Sequence, residues 1–402
     1  MRLTLYPAKS GWRISLLFGA LFAVLLVARA ERLPIKNYTT ADGLSHNIVN
    51  KILRDSRGFL WFCTAEGLSR FDGYSFTNYG TAEGLPHPNV SDILETRGGE
   101  YWVATNAGLV RFNPKGKPVN RGVSASDAGT PPMFAVVASA DEDRHARYIS
   151  VLLEAHDGQI WCGTYNGLYR LQTSNAQLSL VAVDVGMPND YPEQHYINDL
   201  VEDGFGSLWL ATPAGLYRRW PDDSSARYTK REGLPDDFLH DLLLDHQGQL
   251  WVGTRNAGFF RLTADETHAR PSVAFALNTA DNSQSEWINQ LFETSDHRLW
   301  AGIAHGLLEF LPAGDAEGRR YHIYTLKNGL SDDAISGRHP SDSRAASDHH
   351  GAQKRNLCPT KREHRHNQQD YELSSCRINR HDEHLQRQRH NGCERRSDCQ
   401  LA

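Results

Sequence analysis

The chain of 402 residues lacks the usual signatures of catalysis. It has no G-x-S-x-G, no H-E-x-x-H, no Walker-type loop and no dinucleotide fingerprint, so the common hydrolase, metalloprotease and nucleotide chemistries lose the residues they need. Gly204-Phe205-Gly206 lacks a third glycine. A basic stripe is missing too. Residues 1–30 and 337–402 each carry a net +4, which leaves −13 on the body between them. That argues against a nucleic-acid partner. No C-x-x-C pair occurs. Long apolar runs are absent save one, Ile14–Val27, whose 14 residues fall short of the roughly 20 that a helical span needs. Arg2, Lys9 and Arg13 precede it and Ala28-Arg29-Ala30 follows, so residues 1–30 read as a signal peptide cleaved before Glu31. An uncleaved anchor is the alternative.

What is present is a repeat. A glycine stands three residues before Trp61, Trp102, Trp161, Trp209 and Trp251, and His297 takes its place before Trp300. Threonine follows three residues after five of these tryptophans (Thr64, Thr105, Thr164, Thr212, Thr254), and a Gly-Leu pair closes most copies. The tryptophans are 41, 59, 48, 42 and 49 residues apart, a period that means a solenoid, a propeller or an array. Within the first copy, Ile48–Leu53, Leu60–Thr64, Leu68–Phe71 and Tyr74–Tyr79 read as four strands separated by turn clusters. Four antiparallel strands per unit make a propeller blade. The glycine is expected to supply a positive φ and the tryptophan to fill the wedge between blades. Asp55, Asp203 and Asp245 recur at one turn position and read as turn residues.

The fold expected is therefore all-β, a β-propeller of four-stranded blades with six complete blades and parts of a seventh. Ile35–Tyr38 matches the fourth strand of a blade, so a ring joining both ends of the chain is anticipated. Residues 114–131 form a loop insertion behind the longest gap. Cys63 and Cys162 read as buried unpaired thiols.

Function in such a ring is expected where the innermost strands begin. The polar candidates there are His46, Asn47 and Asn50; His87, Asn89 and Asp92; His195, Asn198 and Asp199; Asp236, Asp237, His240 and Asp241; and Glu286, Trp287 and Asn289. As ligand contacts we single out His46, Asn47, His87, Asn89, His195, Asn198, Asp237, His240, Trp287 and Asn289. Trp287 lies outside the structural tryptophan register and suits stacking on a sugar ring. The bland alternative is that these residues cap strand ends and hydrate a channel. No metal site, cofactor or catalytic residue is expected.

The stretch GLSHNIVNKILRDSRGFLWFCTAEGLSRFDGYSFTNY (43–79) resembles the two-component regulator propeller repeat, and the resemblance runs over about residues 32–336. It implies the periplasmic sensor region of a sensor histidine kinase or hybrid two-component system, a small ligand such as an oligosaccharide, relay to a kinase and, often, dimerisation. The resemblance also implies membrane attachment through later parts that this chain does not contain. Binding rather than turnover is expected. The rivals are a lyase-type propeller enzyme, streptogramin-lyase-like or acting on polysaccharide, and a protein-interaction scaffold. An enzyme would draw on Asp237/His240 or His195/Glu194.

A seventh copy begins at Gly329-Leu330-Ser331 and then breaks off. From Gly337 onward there is no Trp, Phe, Val or Met, while 8 of the 19 histidines and 11 arginines gather there. Residues 337–402 are expected to be disordered, being too poor in apolar side chains to offset chain entropy. Three readings compete. A zinc site is weak, because Cys358, Cys376, Cys393 and Cys399 are spaced by 18, 17 and 6 residues. A basic arm conflicts with the 9 interspersed acids. A shifted reading frame after about residue 336 accounts for the abrupt change inside a repeat.

Overall fold

The computed structural model describes residues 36–118, 131–139, 144–175, 177–188, 194–277, 287–316 and 318–330. The expected signal peptide 1–30, the tail 337–402, most of the seventh copy, Glu286 and much of the 114–131 insertion lie outside the described residues.

Six blades follow one another, each an antiparallel up-and-down sheet. Blade 1 consists of Val49–Arg54, Leu60–Thr64, Gly67–Phe71 and Phe76–Tyr79. The innermost strands of blades 2 to 6 are Val90–Glu95, Ile149–Glu154, Asp199–Glu202, Leu239–Leu244 and Ile288–Glu293. Blade 3 gains a fifth strand, because Ala138–Ser139 pairs in parallel with its outer strand Gln177–Val183. The remaining five sheets have four strands each.

The tryptophans sit where the wedge argument puts them. Trp61 packs with Val90, Ile93 and Tyr101 of blade 2, and Trp102 with Ile149, Leu152 and Ile160 of blade 3. Trp161, Trp209 and Trp251 repeat the contact with the inner strands of blades 4, 5 and 6. Five core clusters are thus interfaces between two consecutive blades, and a sixth, Leu44, Phe62 and Phe71, lies on blade 1 alone. One face lacks such a neighbour among the described residues. Ile52 of blade 1 stands where Ile93, Leu152, Leu200, Leu242 and Leu291 are buried, yet it is 54% exposed.

The turn after each inner strand explains the glycine and the aspartate together. Gly58, Gly99, Gly158, Gly206 and Gly248 have φ between 73° and 90°, a region that L side chains enter at a cost of about 1 kcal/mol. His297 adopts it as well, at φ 63°. Asp55 accepts the backbone N–H groups of Arg57 and Phe59 through one oxygen and the Trp61 indole N–H at 2.9 Å through the other. Asp203 and Asp245 clamp Trp209 and Trp251 in the same way, at 2.8 and 2.9 Å. Where Thr96 and Thr294 replace the aspartate, the buried indole N–H of Trp102 and of Trp300 has no partner among the described residues.

Two expectations are corrected. Residues 36–39 form no strand, since a fourth strand needs a third to pair with and none is present beside them among the described residues; Tyr38 instead packs its ring on Phe71 and Phe76. The fourth strand of blade 1 begins at Phe76 and not Tyr74. Asp72 accepts the N–H groups of Tyr74 and Ser75, which holds Tyr74 at the tip of the turn, 96% exposed. Cys63 and Cys162 are buried and free.

Candidate functional site

Strand direction divides the ring into two faces. On the upper face the inner strands begin and the second strands turn into the third. On the lower face the inner strands turn into the second. Single-turn 3-10 helices follow three outer strands, at Thr81–Glu83, Lys230–Glu232 and Leu326–Asn328, and an equivalent one, Thr40–Asp42, leads into blade 1. Each ends on a left-handed glycine.

Lys51, Asp92 and Asp241, each third in its inner strand, and Asp199, which opens the inner strand of blade 4 at the equivalent repeat position, lie within electrostatic reach near the axis. The Asp92, Asp199 and Asp241 carboxylates push the Lys51 ammonium well above its ordinary value, against the opposing effect of burial. Burial raises Asp92, which Lys51 partly counters. Burial also raises Asp199 and Asp241, and the neighbouring Asp199 charge raises Asp241 further. These acids also link blades. Asp92 accepts from Leu152 N–H at 3.0 Å, Asp199 from Leu242 N–H at 2.8 Å and Asp241 from Leu291 N–H at 2.6 Å.

The residue one place earlier in each repeat forms another set of latches. Asn50 donates to Val90 O, Ser150 to Ile197 O and Asn198 to Leu239 O. His240 donates from Nδ1 to Asn289 O at 3.1 Å, since a carbonyl can only accept. Burial holds the His240 imidazole down to about 4. It is neutral at ordinary pH.

Other candidates stabilise their own surroundings. His46 Nδ1 accepts from Ile48 N–H and His87 Nδ1 from Asn89 N–H, both at 3.0 Å. Each thereby keeps its ring proton on Nε2, and burial lowers His87. Asn47 and Asp237 occupy one repeat position and cap the 3-10 turns, accepting from Thr40 N–H and Lys230 N–H at 2.8 and 2.6 Å. Asn89 accepts from Asn50. His195 Nε2 donates to Pro188 O at 2.7 Å. The structure brings His240, Trp287 and Asn289 together, with the His240 and Trp287 rings 5.5 Å apart in an edge contact.

Around this group stands a rim that sequence reasoning missed. The Arg255 guanidinium lies 5.0 Å from the ring centroids of both Phe238 and Trp287. Two blades away, Tyr165 stacks edge-on between Tyr148 at 5.2 Å and Tyr196 at 4.5 Å. The two groups use equivalent repeat positions. Tyr148 and Phe238 directly precede an inner strand, and Tyr165 and Arg255 follow the repeat threonine. Tyr165 and Arg255 donate N–H to Tyr148 O and Phe238 O, each at 3.1 Å. Tyr148, Tyr165, Phe238 and Trp287 are half-buried, and Arg255 is exposed. An aromatic and cationic rim on the upper face over blades 3 to 6 can stack on a flat or ring-shaped ligand and meet polar or anionic groups at its edge.

The lower face holds a cleft of about 650 Å³ between blades 1 and 2, lined by Arg57, Glu95, Tyr101, Arg111 and Pro114 among others. Its polar groups are already engaged: Arg57 pairs with Asp55 and Tyr101, and Arg111 with Glu100. The upper face is the better candidate.

Comparison with known proteins agrees with the repeat architecture. The two component regulator propeller family matches residues 43–66 and 233–256. A stretch of 62 residues is 37% identical to histidine kinase P4 of Formosa agariphila, covering 15% of this chain and 4% of that protein. The extracellular domain of the putative hybrid two component system BT4673 from B. thetaiotaomicron superimposes with a TM-score of 0.56 at 18% identity, over 74% of this chain and 39% of that one. A streptogramin B lyase gives 0.50 at 14% identity over 73% and 85%. The chain thus spans about two fifths of the two-component domain and a small part of the kinase, and the structural likenesses establish the propeller fold.

Proposed function

We propose that this chain, which carries two-component regulator propeller repeats, binds a small ligand on its upper face outside the cytoplasm and passes the bound state to a histidine kinase. The observation that carries the reading is the rim Tyr148–Tyr165–Tyr196 and Phe238–Arg255–Trp287. Tyr148, Tyr165, Phe238 and Trp287 are partly open to solvent, and Tyr196 is buried beneath Tyr165. An oligosaccharide suits them, because its C–H faces stack on rings while its hydroxyl or acidic substituents pair with Arg255. The engagement of Asp237, His195 and His240 in bonds to backbone groups favours binding without turnover over a lyase. The test is a thermal-shift screen of the full chain against neutral, uronate-containing and sulfated oligosaccharides. At least one class is expected to raise Tm with concentration in the parent and not in Trp287→Ala. A chain that cleaves one of these substrates, or that none of them stabilises, contradicts the proposal.

A further inference from the structure

The lower face carries a latch at most blade interfaces. A glutamate ending one inner strand accepts the N–H of the residue after the turn position in the preceding blade: Glu95 from Ser56, Glu154 from Arg97, Glu202 from His156 and Glu293 from His246, at 2.6 to 2.8 Å. Two of these interfaces also present an imidazole. At blades 3 and 4, His156 Nδ1 lies 2.9 Å from Glu202. At blades 5 and 6, His246 Nδ1 bonds to Glu293 Oε1.

The second pair has a third member. His297 replaces the turn glycine of the other five repeats and accepts the left-handed conformation to do so. Its Nδ1 lies 3.5 Å from the same Glu293 oxygen, and its ring centroid is 3.8 Å from that of His246 at an interplanar angle of 31°. One ligand atom from each of the three residues falls within 4.8 Å of the others. At the corresponding place in blade 4 stands Gly206, so the His156–Glu202 pair has no third donor there.

We propose that His246, Glu293 and His297 bind one divalent transition-metal ion that staples the lower turns of blades 5 and 6. Two imidazoles and a carboxylate form a donor set for zinc or a similar borderline ion, whereas magnesium and calcium take oxygen donors. Metal–ligand bonds of about 2.0–2.2 Å place tetrahedral donors a little over 3 Å apart, within the span these atoms already share. The two histidines are 40% and 58% exposed and Glu293 is 14% exposed, so water can complete the coordination. The ion joins side chains from two blades and therefore binds the folded ring in preference to the unfolded chain.

The probe is zinc, added to the full chain and counted by equilibrium dialysis and elemental analysis. The cysteines and histidines of 337–402 can also hold zinc, so the number is read as a difference between parent and variants. His297→Gly restores the residue of the other repeats and relieves the backbone, and His246→Ser copies blade 1, where Ser56 keeps the N–H latch. Each variant is expected to bind one equivalent fewer than the parent and to lose the zinc-dependent part of the Tm rise attributable to that site. Equal stoichiometry and equal zinc-dependent Tm rise in the parent and both folded variants would overturn the site.

Discussion

The two faces of the ring are made by the same repeat and differ in what their polar groups are tied to. On the lower face the polar groups serve the blades. In blades 1, 4 and 5 a turn aspartate holds two backbone N–H groups and an indole, and at four interfaces a glutamate reaches back to the preceding blade. Such groups are committed to the architecture, because a buried donor left unmade costs about 1–3 kcal/mol. The upper face also has latches, at Asn50, Ser150, Asn198 and His240. Beside them it carries large rings that the packing of the blades does not require. The comparison teaches where function can change without loss of fold: at the residue before an inner strand and the residue after the repeat threonine.

Three perturbations sharpen this contrast, from the largest effect to the smallest. Trp209 is fully buried between blades 4 and 5. Trp209→Ala is expected to destabilise by about 3–5 kcal/mol, read from urea midpoints at constant m. Trp287→Ala on the upper face should cost far less. A comparable loss at the two positions would erase the distinction.

His240 gives the second test, in pH. Its folded value of about 4 lies below the ordinary 6.5. Above pH 6.5 the ring is neutral in both states. As pH falls from 6.5 toward 4, the unfolded chain takes up a proton that the native latch refuses, so stability declines by at most about 1.4 kcal/mol per unit. His240→Asn retains a donor for Asn289 O and removes the titration. The difference in stability between parent and variant should therefore depend on pH across this window and be flat above it. A pH-independent difference rejects the buried neutral latch.

The smallest effect is a gain. Thr96→Asp offers Trp102 the acceptor that Asp55 gives Trp61, and should stabilise by about 1 kcal/mol, seen as a Tm rise of a few degrees. An unchanged or lower Tm would show that the clamp does not transfer between blades.

Much of this architecture was legible in the sequence for local reasons. The Trp register, the turn glycine and the turn aspartate lie within six residues of one another, and one hairpin fixes their relations. Their roles in the structure follow from that spacing. The candidate site was legible only in part. Asn50, Asn198 and His240 could be placed at the mouth, but their partners are backbone carbonyls of the next blade, 40, 41 and 49 positions away. Lys51 was missed because its counter-charges Asp92, Asp199 and Asp241 come from three other blades. Tyr148, Tyr165, Tyr196 and Phe238 adjoin apolar strands and read as ordinary strand residues until the ring brings them to one face. Lys36–Tyr38, the described part of the expected strand Ile35–Tyr38, misled in the opposite sense: the side-chain pattern is that of a strand, yet pairing decides whether a strand forms.

The most direct measurement is calorimetric titration of the most stabilising oligosaccharide from the thermal-shift screen into the parent, Trp287→Ala and Asp55→Asn. The upper-face account predicts at least tenfold weaker binding in Trp287→Ala and an unchanged Kd in Asp55→Asn, measured at a temperature where all three are folded. An unchanged Kd in Trp287→Ala, or a loss of binding confined to Asp55→Asn, would contradict it and move the site to the lower face.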